Sequence, residues 1–189
     1  TDNVANWVTM YGDNGNNSIT PDTVNDAERL INGDIIATGT FDGNKVTGIE
    51  QAKGKSDGAV MLYDKNGQIK WETLIGGSAA DSFNAVTEAN DGSYVAVGVS
   101  QSNDSNLANL NKGGKDGIIA KLDSNGTLIK VVTVGGSDAD ELKAIQPAGD
   151  GGFIVAGYSH STDLDMNGLN KIETDRDAII VKIDQDLNI

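Results

Sequence analysis

The sequence GGSAAD at residues 76–81 returns as GGSDAD at residues 135–140, a shift of 59 positions. Other residues recur at the same spacing, namely one set of aspartates and two sets of glycines. These sets are Asp22, Asp81 and Asp140; Gly33, Gly92 and Gly151; and Gly39, Gly98 and Gly157. So many coincidences at one period identify an internal repeat. The chain is therefore predicted to contain three copies of one unit of about 59 residues.

Each unit is predicted to form four β-strands. In the second copy, an Asp-Gly pair at residues 91–92 and an Asn-Gly pair at residues 125–126 mark tight hairpin turns. A long polar loop separates the second and third strands. The predicted strands are residues 81–89, 94–99, 117–122 and 128–134. No segment of 11 residues has a persuasive helical period, so the chain is predicted to be all-β.

The second strand of each unit indicates how the sheets pack. Residues 35–37, 94–99 and 153–158 are apolar on both faces, whereas a strand with one solvated face alternates. Sheets covered on both sides favour four-stranded blades stacked around an axis, the β-propeller arrangement. The recurring small residues, including Gly98, are expected to let neighbouring blades approach. The alternative is another threefold all-β fold, a β-trefoil or a β-prism.

The repeat also predicts the organisation of the chain. Residues 6–12 correspond to the fourth strand at residues 71–76, so the lead-in is predicted to complete another blade. The predicted units are residues 1–12 as an outer strand, 13–76 as blade 1, 77–135 as blade 2, and 136–189 as blade 3 lacking its outer strand. Propellers have at least four blades, so three cannot close a ring. We therefore expect either a homodimer that completes a six-bladed ring or a fragment of a larger propeller.

The units resemble a bacterial cell-surface repeat of the kelch-like β-propeller type, with the form GGSxxD…DGGY…G…NKGGxD…KLD. Residues 135–140, 150–153 and 177–182 match it in order, as do residues 111–116 and 121–123. The first copy departs from it. The resemblance implies an extracellular or cell wall-attached module of a secreted or surface-anchored protein. It does not identify what such a module binds.

The amino-acid composition limits the classes of partner that the chain is expected to bind. Lys and Arg number 14 and Asp and Glu 28, which gives a net charge of −14. This charge argues against nucleic-acid binding and against adhesion to anionic lipid. No stretch approaches 18 consecutive apolar residues, so no direct membrane insertion is expected. Gly, Asp and Asn are abundant and Cys is absent, which fits many tight turns and excludes a disulfide scaffold.

One loop resembles the start of a calcium site. Asp163, Asp165 and Asn167 alternate and are followed by a glycine, and alternating oxygen side chains suit a hard cation. Glu173 and Asp175 are candidates to complete the set. The sister loop offers the weaker pair Asp104 and Asn106. The alternative is a solvated polar loop with Asx-turns.

The remaining polar and aromatic candidates point only weakly to chemistry. The repeated aspartates could form acid/base pairs, but repetition gives like environments, so hydrogen bonds to the backbone at blade corners are the favoured interpretation. Trp7, Trp71 and His160 are candidate binding residues. A tryptophan at these strand positions could anchor a partner or pack between blades.

The sequence therefore predicts a non-enzymatic binding or adhesion module. Its long loops leave the same end of every sheet, and loops on a rigid scaffold are the usual place for recognition. The expected ligand is a protein or glycan of a host or neighbouring cell. The alternative is a structural spacer or self-assembling scaffold unit, and a glycoside-active propeller enzyme ranks third.

Overall fold

The computed structural model describes residues 7–9, 22–42, 52–169 and 175–189. These residues form three antiparallel sheets of four, four and three strands, so the prediction of an all-β fold is confirmed. Each sheet is a meander in which strands adjacent in sequence are also adjacent in the sheet. Blade count and ring closure stay predictions.

The sheets follow the repeat. Sheet 1 contains β1 (Thr23–Arg29), β2 (Ile35–Phe41), β3 (Asp57–Tyr63) and β4 (Ile69–Ile75). Sheet 2 contains β5 (Asp81–Glu88), β6 (Tyr94–Ser100), β7 (Asp116–Leu122) and β8 (Leu128–Val134). Sheet 3 contains β9 (Asp140–Pro147), β10 (Phe153–Ser159) and β11 (Asp177–Ile183). The four strands predicted for the second copy are thus observed to within one residue at each end.

Two kinds of connection alternate along the chain. Tight hairpin turns occupy one end of every sheet, which we call the turn end. Gly92 (φ 77°) and Gly126 (φ 84°) lie there in the left-handed region that favours glycine. In the third copy Leu187 takes the place of Gly126 and has φ 61°. The long loops and the corners that lead to the next sheet occupy the opposite end, the loop end.

The sheets stack face to face in chain order. We call the face toward the preceding sheet the front and the face toward the following sheet the back. One core cluster joins the back of sheet 1 to the front of sheet 2, including Val60 and Phe83. A second joins the back of sheet 2 to the front of sheet 3, including Ile119 and Leu142. Sheet 2 is therefore covered on both faces, as the apolar character of β6 predicted.

A β-bulge interrupts the first strand of each sheet. In sheet 2 it lies between Phe83 and Ala85, opposite Gly98. A Cβ on Gly98 would lie 2.0 Å from the carbonyl oxygen of Ser82, in the same sheet. The prediction that this glycine lets neighbouring blades approach is therefore wrong, because the close neighbour is the bulged strand of its own sheet.

The bulged residue itself links one sheet to the next. The side-chain amide nitrogen of Asn25, Nδ2, donates a hydrogen bond to the carbonyl oxygen of Phe83 at 2.7 Å. Asn84 donates in the same way to the carbonyl oxygen of Leu142 at 2.7 Å. In sheet 3 the equivalent residue is Lys143. Neighbouring first strands are thus tied at a fixed register.

Helical structure in the described ranges is confined to two 3₁₀ turns in the long loops, Ser105–Leu107 and Leu164–Met166. No helix there is long and apolar enough to cross a membrane.

Candidate functional site

The corners between sheets are built around a buried aspartate. Asp81 is 2% exposed, and its carboxylate accepts hydrogen bonds from several donors. The donors are Gly77 N at 2.9 Å, Ser100 Oγ at 2.5 Å and Ser102 Oγ at 2.7 Å. Both carboxylate oxygens therefore accept hydrogen bonds, from the corner, from the end of β6 and from the loop that follows β6. This arrangement holds that loop against the corner.

The next corner repeats the arrangement. Asp140 is 1% exposed and accepts from Gly136 N at 2.8 Å, from Ser161 Oγ at 2.8 Å, and from Ser159 Oγ. In the first copy, Asp22 accepts from Asp42 N at 2.9 Å. The repeated aspartates thus make the corner hydrogen bonds that the sequence favoured over a catalytic role.

Backbone hydrogen bonds also join consecutive sheets at the corners. Asp81 N donates to Ser56 O at 2.9 Å, and Asp140 N donates to Lys115 O at 2.7 Å. Ser56 and Lys115 directly precede the third strands of sheets 1 and 2. We call each such contact region an inter-sheet joint: the first connects sheets 1 and 2, and the second connects sheets 2 and 3.

Two of the predicted calcium ligands, Asp163 and Asp165, lie in the second joint. Asp163 Oδ1 accepts from Ser137 N at 2.8 Å. Asp165 Oδ2 accepts from Gly135 N at 3.1 Å and forms an ion pair with the Lys112 ammonium. The weaker pair is placed alike, since Asp104 Oδ1 accepts from Ser78 N at 2.8 Å. Its neighbour Asn106 accepts from Lys53 Nζ.

These contacts leave few oxygens for a cation. The described residues contain no group of three or more His, Asp or Glu side chains that could hold a metal ion. Asn167 and Asp175 are exposed, and Glu173 lies outside the described residues. Calcium binding by this set stays a prediction.

A feature that the sequence did not reveal is a second buried aspartate in each joint. Asp57 and Asp116 are both 0% exposed. Asp57 Oδ2 accepts a hydrogen bond from Lys53 N at 3.0 Å, and Asp116 Oδ2 accepts one from Lys112 N at 2.7 Å. In each, Oδ1 is buried and has no hydrogen-bond partner. The two aspartates are 59 residues apart, the period of the repeat, but only the stacking of the sheets shows that they are buried.

The two tryptophans pack at the turn end. The Trp71 ring lies 5.6 Å from the Tyr94 ring, and its indole N–H donates to Ser124 O at 3.1 Å. Trp7 makes a similar hydrogen bond one sheet earlier, donating to Lys65 O at 3.1 Å, and its ring stacks 6.4 Å from the Tyr63 ring of β3. Residues 7–9 are not part of a sheet, and the rest of the predicted lead-in strand lies outside the described residues.

The back of sheet 3 has a different character. Tyr158 donates to Glu141 Oε2 at 2.6 Å, and the Arg176 guanidinium lies 4.6 Å from its ring centroid. His160 packs edge-on against the same ring at 5.9 Å, and Lys143 lies 5.9 Å from it. His160 is therefore brought together with four other polar or charged side chains, away from both tryptophans.

A groove runs beside β11, the last strand of sheet 3, on the side where sheets 1 and 2 have a fourth strand. Its volume is about 350 Å³. The lining is mostly apolar and includes Val134, Leu169, Ile179, Ile180 and Ile189.

No protein-family model matches this chain, and no match was found among curated proteins. The resemblance to a kelch-like surface repeat therefore rests on the sequence motif alone.

Proposed function

We propose that this chain is a non-enzymatic β-propeller-type repeat module whose first function is assembly, with a second copy of the chain covering the back of sheet 3. The two chains together would complete a six-bladed ring. The primary role that we propose is therefore that of a self-assembling scaffold, ahead of that of an adhesion module.

The observation that carries the proposal is the exposure of sheet 3 at positions that are buried in its sister sheets. Val60 in sheet 1 and Ile119 in sheet 2 are both 0% exposed, because the next sheet covers them. The equivalent Ile180 is 78% exposed. Exposed apolar surface of this kind marks an interaction site. Two equivalent faces are each covered by another copy of the repeat, so a further repeat fits the third face. We propose that a second copy of the chain supplies it.

Charge supports a second copy as the partner. The back of sheet 3 carries basic side chains on a chain whose net charge is −14. They are Lys143, His160, Arg176 and Lys182. Two of them pair with acids of the same sheet, Lys143 with Glu141 and Lys182 with Asp150. Because like charges on two such faces repel, back-to-back pairing is disfavoured, and head-to-tail pairing is the arrangement that we propose.

The unpaired edge of sheet 3 supports the same arrangement. The groove beside β11 lies where β8 lies in sheet 2, and Trp7 contacts sheet 1 as the β4 residue Trp71 contacts sheet 2. We propose that the segment around Trp7 of the second copy lies along β11 as its fourth strand. Edge strands present unpaired N–H and C=O groups that such a segment satisfies.

The test is the mass in solution, measured by sedimentation velocity at several concentrations. We expect twice the 19.7 kDa mass of the chain. Ile180→Asp places a charge on the sheet 3 back and should restore the mass of one chain. Ile129→Asp is the matched control, because Ile129 is 57% exposed on the fourth strand of sheet 2. A wild-type chain that is monodisperse at 19.7 kDa would overturn the proposal.

Recognition of a protein or glycan is a second candidate function, and the loop end favours it. The 3₁₀ turns in its two described long loops contain Ser105 (φ 53°) and Leu164 (φ 51°), an uncommon backbone conformation for residues other than glycine. Strained loops held on a rigid scaffold are typical of recognition surfaces. The proposed setting is extracellular or cell wall-attached.

Two measurements address this second function. Exchange of residues 101–112 for a Gly-Ser linker of equal length should abolish binding on a glycan array or in a host-protein pull-down, whereas Ile129→Asp should not. Calorimetry with calcium tests the predicted ion site. Because the Lys112 ammonium already pairs with Asp165, Lys112→Met should strengthen any calcium binding there.

A further inference from the structure

The two inter-sheet joints share a feature that hydrogen bonding alone leaves unexplained. Asp57 and Asp116 are fully buried, and in each the inner oxygen, Oδ1, has no hydrogen-bond partner. A buried acceptor without a donor destabilises the folded state, and more so when it is charged. The same unpartnered oxygen recurs in both joints, so it is a property of the repeat.

A second carboxylate faces the same place as each inner oxygen. A Cβ on Gly76 would lie 2.4 Å from Asp57 Oδ1 and 2.7 Å from Asp81 Oδ2. In the second joint, a Cβ on Gly135 would lie 2.3 Å from Asp116 Oδ1 and 2.5 Å from Asp140 Oδ2. Glycine is therefore required at both corners, and two carboxylate oxygens converge over its backbone.

The charges around each inner oxygen are mostly of the same sign. In the first joint, Asp81 and Asp104 face Asp57 from sheet 2. Among the described residues, Lys53 is a nearby cation, but its ammonium donates to Leu74 O at 3.4 Å and to Asn106. The second joint repeats this, with Asp140 and Asp165 as the acidic neighbours of Asp116 and with Lys112 bound to Thr133 O at 2.7 Å and to Asp165.

The third copy shows what happens without a following sheet. Asp177 occupies the position equivalent to Asp57 and Asp116, but it is exposed. The buried, unpartnered carboxylate is thus created by the stacking of one sheet on the next.

We propose that each inter-sheet joint takes up a proton. Asp57 and Asp116 hold it on Oδ1, from which it is donated toward Asp81 and Asp140. The proton turns an uncompensated acceptor into a donor and removes one negative charge from each joint. Its loss places two carboxylates together in a buried corner and loosens the contact between sheets. The stack is therefore tighter in mild acid than at alkaline pH.

The direction of the pKa shifts agrees with this arrangement. Burial raises the pKa of Asp57 from 3.8 to about 6. The hydrogen bond from the Lys53 N–H lowers this pKa, and the charges of Asp81 and Asp104 raise it further. Burial likewise raises the pKa of Asp116. A carboxyl whose pKa is raised on folding contributes stability that is fully present below its unfolded pKa. That contribution is lost as the pH rises through the folded pKa, here between about 4 and 6 for Asp57.

The test is equilibrium unfolding in urea between pH 5 and pH 8 for the wild type and for D57N and D116N. Asparagine keeps the oxygen that accepts from the loop N–H and supplies a neutral donor in place of Oδ1. At pH 8 the unfolding equilibrium constant of D57N should be at least about tenfold below that of the wild type, and that of D116N should also be lower; both differences should shrink at pH 5.

Asp177→Asn is the matched control, because it removes the same charge at the exposed equivalent and should change the pH profile little. If D57N and D116N destabilise at all pH values, or if D177N matches them, the proposal is overturned. A carbon-13 titration of the wild-type carboxyl groups gives an independent reading. An Asp57 carboxyl that titrates near 4 would also overturn it. The unfolding measurements are made at a concentration where the chain is monomeric, because a second copy on the back of sheet 3 would also bury Asp177.

Discussion

Sheets 2 and 3 arise from nearly the same repeat, yet equivalent residues in them have different surroundings. Ile119 is 0% exposed and Ile180 is 78% exposed. Asp116 is buried in a joint, whereas Asp177 is exposed. Another sheet follows sheet 2, and sheet 2 has a fourth strand, whereas in the described residues sheet 3 has three strands and no sheet on its back. In this fold a residue's burial is therefore set by the neighbouring repeat as much as by its own strand, as expected for a stack in which each unit contacts only its neighbours.

The largest effect should come from an aromatic residue between sheets. Phe83 is fully buried in the core between sheets 1 and 2, whereas the equivalent Val24 in sheet 1 is 53% exposed. We expect Phe83→Ala to lower the free energy of unfolding by about 3–5 kcal/mol, through lost burial and a cavity. Val24→Ala should change it by less than about 0.5 kcal/mol. Urea denaturation compares the two, and similar losses would contradict the stacking order.

A somewhat smaller effect is expected from the two equivalent isoleucines. Ile119→Ala should cost about 2–4 kcal/mol, since it opens a cavity between sheets 2 and 3. Ile180→Ala should cost less than about 0.5 kcal/mol at a concentration where the chain is monomeric. Thermal or urea unfolding at low micromolar concentration gives both values. A large loss for Ile180→Ala under those conditions would show that the back of sheet 3 is covered within one chain.

The next prediction concerns sheet 1, where Glu72 occupies the position of Val131 in sheet 2. Both Glu72 carboxylate oxygens are buried without a hydrogen-bond partner, and burial raises the pKa of Glu72 to about 7. Its contribution to stability is therefore present below pH 4.5 and is lost as the pH rises through about 7. Glu72→Val should raise the free energy of unfolding by about 1–2 kcal/mol at pH 8.

Urea denaturation at pH 8 and pH 5 checks this prediction. The gain should be smaller at pH 5, where the carboxyl is protonated. Equal gains at the two pH values would mean that packing, not charge, explains the effect.

The smallest effect concerns the bulged residues. Asn84 donates to the Leu142 carbonyl of the next sheet, so Asn84→Ala should cost about 1 kcal/mol. Lys143 has no following sheet to bind and its side chain is 52% exposed, so Lys143→Ala should be close to neutral. Unfolding midpoints in urea are sufficient for the comparison. A greater loss for Lys143→Ala would show that the sheet 3 bulge already has a partner.

Much of the local fold follows from the sequence because turns and strands carry local signals. The Asp-Gly and Asn-Gly pairs placed the hairpins, and the doubly apolar β6 predicted that sheet 2 is covered on both faces. The inter-sheet joints could not be predicted in the same way. Asp163 and Asp165 alternate as the ligands of a cation loop do, but their carboxylate oxygens accept hydrogen bonds from the backbone of the corner before β9. Such proximity depends on how sheets stack, and spacing along the chain does not report it.

The contacts of Trp71 have a mechanical consequence. Neighbouring sheets are joined at the loop end through Asp81 and Asp140, and sheets 1 and 2 are joined again at the turn end through Trp71. At the corresponding place between sheets 2 and 3, Lys130 Nζ donates to Asp186 O at 2.5 Å. Two attachments at opposite ends of one interface fix the rotation between sheets as well as their separation. The rotation between consecutive sheets is therefore set by contacts within the chain.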